Sequence, residues 1–88
     1  MQNLKILILK NDSILISEVH EVEGADLGEP DCKLVNPAQM FVSDSTNYDM
    51  KKWPSFTDQK EIKIHSDSIF TIVDPKPDQI ELYLKTIK

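Results

Sequence analysis

Residues Glu61 to Pro75 read Glu-Ile-Lys-Ile-His-Ser-Asp-Ser-Ile-Phe-Thr-Ile-Val-Asp-Pro, and this stretch decides the fold class. Ile62 and Ile64 alternate with Glu61 and Lys63, the period of two that marks a half-buried strand. His65-Ser66-Asp67 is polar and tolerates a tight turn. Ile69, Phe70, Ile72 and Val73 then form a β-branched and aromatic run that is too apolar for an exposed strand. Pro75 ends the run, because it has no N–H for a strand ladder. The pattern predicts a very short hairpin with its polar atoms at the tip.

The rest of the chain supplies more strands of the same kind. Leu4 to Lys10 alternates so little that both faces of a strand there must be covered. Asn11-Asp12-Ser13 is a turn, and Ile14 to Val22 is a second strand whose alternation loosens after Ile16. A strand that starts doubly buried and ends half-exposed suits a long, bent member of a small barrel. Cys32 to Val42 predicts a third strand with Leu34, Val35, Met40, Phe41 and Val42 in the core. Pro37 inside it requires an edge position, a bulge or a break. Ser43 to Asn47 reads as a loop, after which Tyr48 to Trp53 can pair back on the third strand until Pro54 stops it.

Asp74-Pro75-Lys76-Pro77-Asp78 is a stiff connector into a C-terminal helix. Pro77 suits the first helical turn, and Asp78 and Glu81 suit its positive end. Ile80, Tyr83, Leu84 and Ile87 recur at i, i+3, i+4 and i+7 and predict the buried face. A helix this short is not stable alone, so it must dock. The expected whole is one mainly β domain over residues 1–88. It is a small, strongly bent, five-stranded open barrel over 1–74 with a C-terminal α-helix over 77–88.

Ile64-His65-Ser66-Asp67-Ser68-Ile69 resembles the second motif of Sm and LSm proteins, Ile-Arg-Gly-Asp-Asn-Ile, with the apolar ends and the Asp in register. His65 to Pro77 is also similar to the segment of the bacterial RNA chaperone Hfq in which a His precedes Ile-Ser-Thr-Val-Val-Pro. The resemblance implies an Sm-like (SH3-like) barrel that works as a homo-oligomeric ring and binds single-stranded nucleic acid, with RNA expected before DNA. It implies that Lys63, His65, Ser66 and Asp67 stand nearest the family's RNA-contacting positions. The family's Arg-Gly pair is replaced by His65-Ser66, and the family places its helix before the first strand rather than last. Leu4 to Leu9, Asp31 to Pro37 and Ile62 to Pro77 also resemble small proteins of marine T4-like phages, which would place the chain in the cytoplasm of a bacterial host.

Composition limits these expectations. The net charge is −5, and all ten basic residues are Lys. The bulk field therefore opposes phosphate, and bidentate guanidinium contacts are impossible. Nucleic acid must be met by a local surface or not at all, so an assembly protein without nucleic acid is the competing expectation. Lys51-Lys52-Trp53 with Phe56 mixes cations and aromatics as single-strand binders do; a Trp half-buried under lysine stems gives the same pattern. Asn36-Pro37 reads as a ligand-contacting element or as a bulge.

The remaining chemistry is sparse. Glu23 to Asp31, with Gly24, Gly28 and four carboxylates, is a solvated loop or a divalent-cation site. Cys32 is alone, so no disulfide or zinc cluster is expected. No phosphate loop, metal-ligand spacing or activated nucleophile is visible. We expect no catalysis, cofactor or metal. No apolar run approaches the roughly 20 residues of a membrane span.

Overall fold

The computed structural model describes residues 3–44 and 46–88; the predicted loop at Ser43 to Asn47 includes Ser45, which lies outside them. Six strands and a helix follow in order: β1 (Leu4–Leu9), β2 (Ile14–Glu21), β3 (Cys32–Val42), β4 (Tyr48–Lys52), β5 (Glu61–Ile64), β6 (Ile69–Val73) and α1 (Pro77–Thr86). A 3-10 turn at Ser66–Ser68 separates β5 from β6. The chain is mainly β, as its patterning predicts. Its strands form one antiparallel, open, barrel-like sheet ordered β4-β3-β2-β1-β6, with β5 also on β3. Among the described residues there are six strands rather than five, because Tyr48–Lys52 completes a ladder with β3 in which Met40 faces Met50.

β3 organises this sheet. One edge pairs throughout with β2, while the other carries β5 along Cys32–Val35 and β4 along Ala38–Val42. The change of partner falls at Asn36–Pro37. β2 offers only Ser17 between the pairs Ile16↔Ala38 and Glu18↔Val35, whereas β3 offers two residues, so β3 is bulged and bent there. Asn36 takes φ +51°, in the left-handed region that Asn tolerates better than most residues. Pro37 fits because a bulged position needs no ladder donor.

Each backbone group freed by the bulge finds a partner. Asn36 N–H donates to Lys60 O at 2.7 Å, and Trp53 N–H donates to Pro37 O at 3.0 Å. The Tyr83 hydroxyl donates to Asn36 O at 2.9 Å, and the Ser17 hydroxyl lies 3.1 Å from Val35 O. Asn36-Pro37 is thus the structural bulge of the two readings its sequence allowed.

Two apolar clusters lie on opposite faces of the sheet. Leu4, Ile6, Ile16, Ala38 and Met40 meet Tyr83 of α1, with Ile80 and Ile87 packed alongside. Leu7, Leu9, Leu15, Cys32 and Leu34 fill the concave side with Val19, Trp53, Ile62, Ile64 and Ile69 around them. β1 feeds both clusters from alternate residues, which is why its sequence barely alternates. The helix starts at Pro77 with the Gln79 side chain accepting from Lys76 N–H at 2.7 Å, and Asp78 accepts from the Tyr48 hydroxyl at 2.8 Å.

Three expectations are corrected. Glu61–Ile64 and Ile69–Val73 do not form a hairpin: β5 pairs with β3 and β6 with β1. Tight two-residue hairpins need positive φ, which Asn-Gly or Gly supplies; His65 to Ser68 instead closes a 3-10 turn, with Ser68 N–H donating to His65 O at 3.0 Å. The turn is a corner between two edges of the barrel.

The second correction concerns the apolar run. Phe70 is 75% exposed, with Ile72 at 48% and Val73 at 44%. β6 is an edge strand outside the cover of α1, and Phe70 occupies the register shift opposite Ile8 and Leu9. Phe41 and Val42, expected in the core, are likewise exposed at the end of β3. In the third, Leu84 is 40% exposed because α1 turns Tyr83, not Leu84, onto the sheet. No helix among the described residues is long and apolar enough to cross a membrane.

Candidate functional site

The corner at His65 is built from a distance in sequence. Asp31 ends the acidic loop just before β3, and its carboxylate accepts from Ser66 N–H at 2.7 Å and from the Ser66 hydroxyl at 2.7 Å. These two hydrogen bonds, backbone first, hold the Asp31 carboxyl below its usual pKa. The Ser68 hydroxyl donates to His65 O at 2.7 Å, and Lys10 N–H donates to Ser68 O at 2.8 Å. Ser66 therefore spends both donors on the fold. His65 and Asp67 are exposed, and among the described residues neither side chain makes a hydrogen bond. The corner offers an imidazole flanked by the carboxylates of Asp31 and Asp67, a poor setting for a phosphate.

Lys63 lies on the outward face of β5, directly opposite Lys33, which faces His20 on β2. Residues opposite one another across strands share a face. The three basic groups form a row, and carboxylates answer two of them. His20 Nε2 is 2.8 Å from Glu18 Oε2, and Lys33 Nζ is 3.3 Å from Glu61 Oε1. Among the described residues Lys63 has no ion-pair partner.

Lys52 and Trp53 sit elsewhere. Lys52 pairs with Ala38, five residues along β3 from Lys33, which at ~3.3 Å per residue separates the two groups by about 16 Å along the strand. The six candidate residues thus divide into a β5 corner and a β4 end. Trp53 packs one side on the concave cluster. It also lines a cleft of about 250 Å³ whose other walls include Lys52, Lys60, Asn36, Asp58 and Ile87. The sequence reading missed Lys60, which comes eight residues after Lys52 through an irregular loop with no periodic signal. It equally missed the Asp31 clamp, whose partners are 35 residues apart.

The remaining chemistry is structural. Cys32 is buried, and burial followed by the neighbouring Asp31 charge pushes its thiol pKa up, so it stays a protonated, weakly nucleophilic group. Burial also pushes Tyr83 up to about 12, with the Glu18 charge second, so its hydroxyl remains a donor to the bulge. Among the described residues no three His, Cys, Asp or Glu side chains are gathered to hold a metal.

Fold and surface together define a small, bent, open β-barrel module with a helix on one face and a free apolar edge. Residues 2–88 match a family of unknown function, DUF6561, and the chain belongs to that family. No curated protein matches it.

Proposed function

We propose that this protein is a non-enzymatic assembly module whose copies join edge to edge and close into a ring. The observation that carries this reading is β6. Among the described residues it pairs on one edge only, and it presents Phe70, Ile72 and Val73 to solvent. Folded proteins usually blunt such edges with charge, proline or a covering element. β4, the opposite edge, has the same length of five residues and lies beside exposed Phe41 and Val42. Pairing β6 of one copy with β4 of the next is heterologous, and such contacts form rings when the rotation closes. The resemblance to Sm and LSm proteins supports the same arrangement, and the phage resemblance supports a cytoplasmic setting in a bacterial host. Light scattering on gel-filtered protein should give several chain masses at micromolar concentration. Phe70→Lys with Val73→Lys should give one chain mass with an unchanged circular dichroism spectrum. A monomeric wild type at that concentration would overturn the reading.

A second reading adds single-stranded nucleic acid, RNA before DNA, bound by this ring through Lys63 and His65. The unpartnered Lys63 beside Lys33 and the exposed imidazole favour it; the net charge and the paired carboxylates oppose it. Filter binding to mixed single strands at low salt tests it, and no retention would leave the assembly reading alone.

A further inference from the structure

We propose that the cleft beside Trp53 binds an aromatic base carrying a phosphate, as a free nucleoside monophosphate or as one unit of a single strand. This goes beyond self-association and uses neither β6 nor the His65 corner.

The cleft of about 250 Å³ is a little smaller than the usual sites for drug-sized ligands, a size for one planar base and its sugar. Trp53 is half-buried: it packs on the concave cluster and also walls the cleft, so its ring is held before any ligand arrives. Bases of every kind stack on such a fixed indole. The bulge fixes the opposite side, because Asn36 is bound to Lys60 O and Trp53 N–H to Pro37 O. These bonds tie three lining segments together, from β3, the end of β4 and the loop before β5. Ile87, from the end of α1, adds an apolar contact.

Charge selects the rest of the ligand. Lys52 and Lys60 both line the cleft, and among the described residues neither is paired with a carboxylate. Two lysines without a carboxylate partner, lining the same cleft as an aromatic wall, suit a phosphate attached to a base. Asp58 also lines the cleft. Its carboxylate opposes a bare phosphate and can accept from an exocyclic amino group, as acidic side chains do from cytosine. The site therefore favours cytidine or adenosine monophosphate over uridine monophosphate, and any of them over inorganic phosphate.

Trp53 is the sole tryptophan, so its fluorescence reports the cleft directly. Full-length protein is titrated with cytidine, adenosine and uridine monophosphates, inorganic phosphate and a short mixed oligonucleotide. Amide chemical shifts are followed in parallel. Saturable quenching by the amino-bearing nucleotides, with shifts at Asn36, Gln59 and Ile87, is the expected result. Lys52→Gln with Lys60→Gln should weaken binding by about tenfold or more. These are exposed side chains, so the variant should keep its fold; Trp53→Phe tests stacking but removes core packing as well. Saturation by the oligonucleotide alone would assign the site to a single strand, and saturation by both would assign it to the shared base-phosphate unit. Binding that the lysine variant leaves unchanged, or the absence of both quenching and shifts, overturns the proposal. Light scattering on the same samples reports self-association separately, so either idea can fail alone.

Discussion

β1 and β6 lie side by side in the sheet and carry nearly the same kind of residue, yet they meet opposite fates. Leu4, Ile6, Leu7 and Leu9 of β1 are buried, while Phe70, Ile72 and Val73 of β6 are open to solvent. β1 is flanked by β2 and β6, with α1 over one face and the concave cluster against the other. Among the described residues β6 has one neighbouring strand and no helix over it. Apolar content alone does not bury a strand; its place in the sheet order does. An apolar strand left at an edge stays exposed, which is why we propose it for contact between copies, and the following experiments test that contrast.

The largest effect should come from removing what covers β1. Tyr83 is fully buried between α1 and the sheet, and its hydroxyl caps the bulge. Tyr83→Ala should cost about 3–5 kcal/mol, as aromatic truncations in cores do, read as a shift of the urea midpoint. Tyr83→Phe keeps the packing but orphans Asn36 O, and should cost about 1–3 kcal/mol. Leu84→Ala, on the exposed side of the same helix, should stay within about 0.5 kcal/mol. Equal losses at Tyr83 and Leu84 would mean that α1 is docked differently.

β6 should behave in the reverse way. Phe70→Lys with Val73→Lys touches neither buried cluster, so the unfolding free energy from urea titration of monomer should change by no more than about 0.5 kcal/mol. Sedimentation velocity should nevertheless lose every species larger than one chain. A large stability loss without a change in mass would make β6 a core strand after all, and the comparison with β1 would collapse.

How much of this was readable beforehand follows from what each signal measures. Periodicity reports the faces of one strand, so β1, β2, β3 and α1 were legible from Leu4, Ile14, Leu34 and Tyr83. It says nothing about which strand neighbours which. The Ile62-to-Ile64 and Ile69-to-Val73 segments looked like a hairpin because they are adjacent in sequence, whereas the 3-10 turn sends them to different partners. Pro37 did announce a bulge, since a proline inside a strand has few other solutions. The site was less legible. Lys52 and Trp53 stood out by composition, but Lys60 and Asn36 reach the same cleft only through the bulge, and Ser66 meets Asp31 only in space.

The corner clamp should leave a pH signature. Hydrogen bonds from Ser66 lower the Asp31 pKa in the folded state, so the stabilisation is complete above the ordinary carboxylate value of about 4. It is lost as pH falls through the lowered value, because protonation then removes the acceptor charge. Asp31→Asn should be less stable than wild type at neutral pH, and the gap should narrow below about pH 4. Thermal melts across that range decide it. Asp44 follows the same sense: the Asn47 and Thr46 donors hold it at about 2. Asp44→Asn, assayed beside it, should lose its gap from wild type in the same direction as pH falls.

The smallest effect expected is on nucleic acid at that corner. Lys63 brings a single unpaired charge per chain, and counterion release along a single strand contributes a slope of about −0.7 per phosphate contact in a plot of log affinity against log salt. Lys63→Ala with His65→Ala should therefore flatten the slope by about 0.7 for each subunit that touches the strand, with little change in the melting curve. A ring would multiply that number by the subunits engaged, since neighbouring copies meet successive nucleotides at high effective concentration. The monomeric β6 variant should flatten it to the value of one chain. If the slope is indifferent to Lys63 but falls when Lys52 and Lys60 are neutralised, phosphate is met at the Trp53 cleft and the corner is only a hinge of the barrel. If the wild type itself binds no single strand at low salt, the protein does not carry nucleic acid, and its exposed edge serves assembly alone.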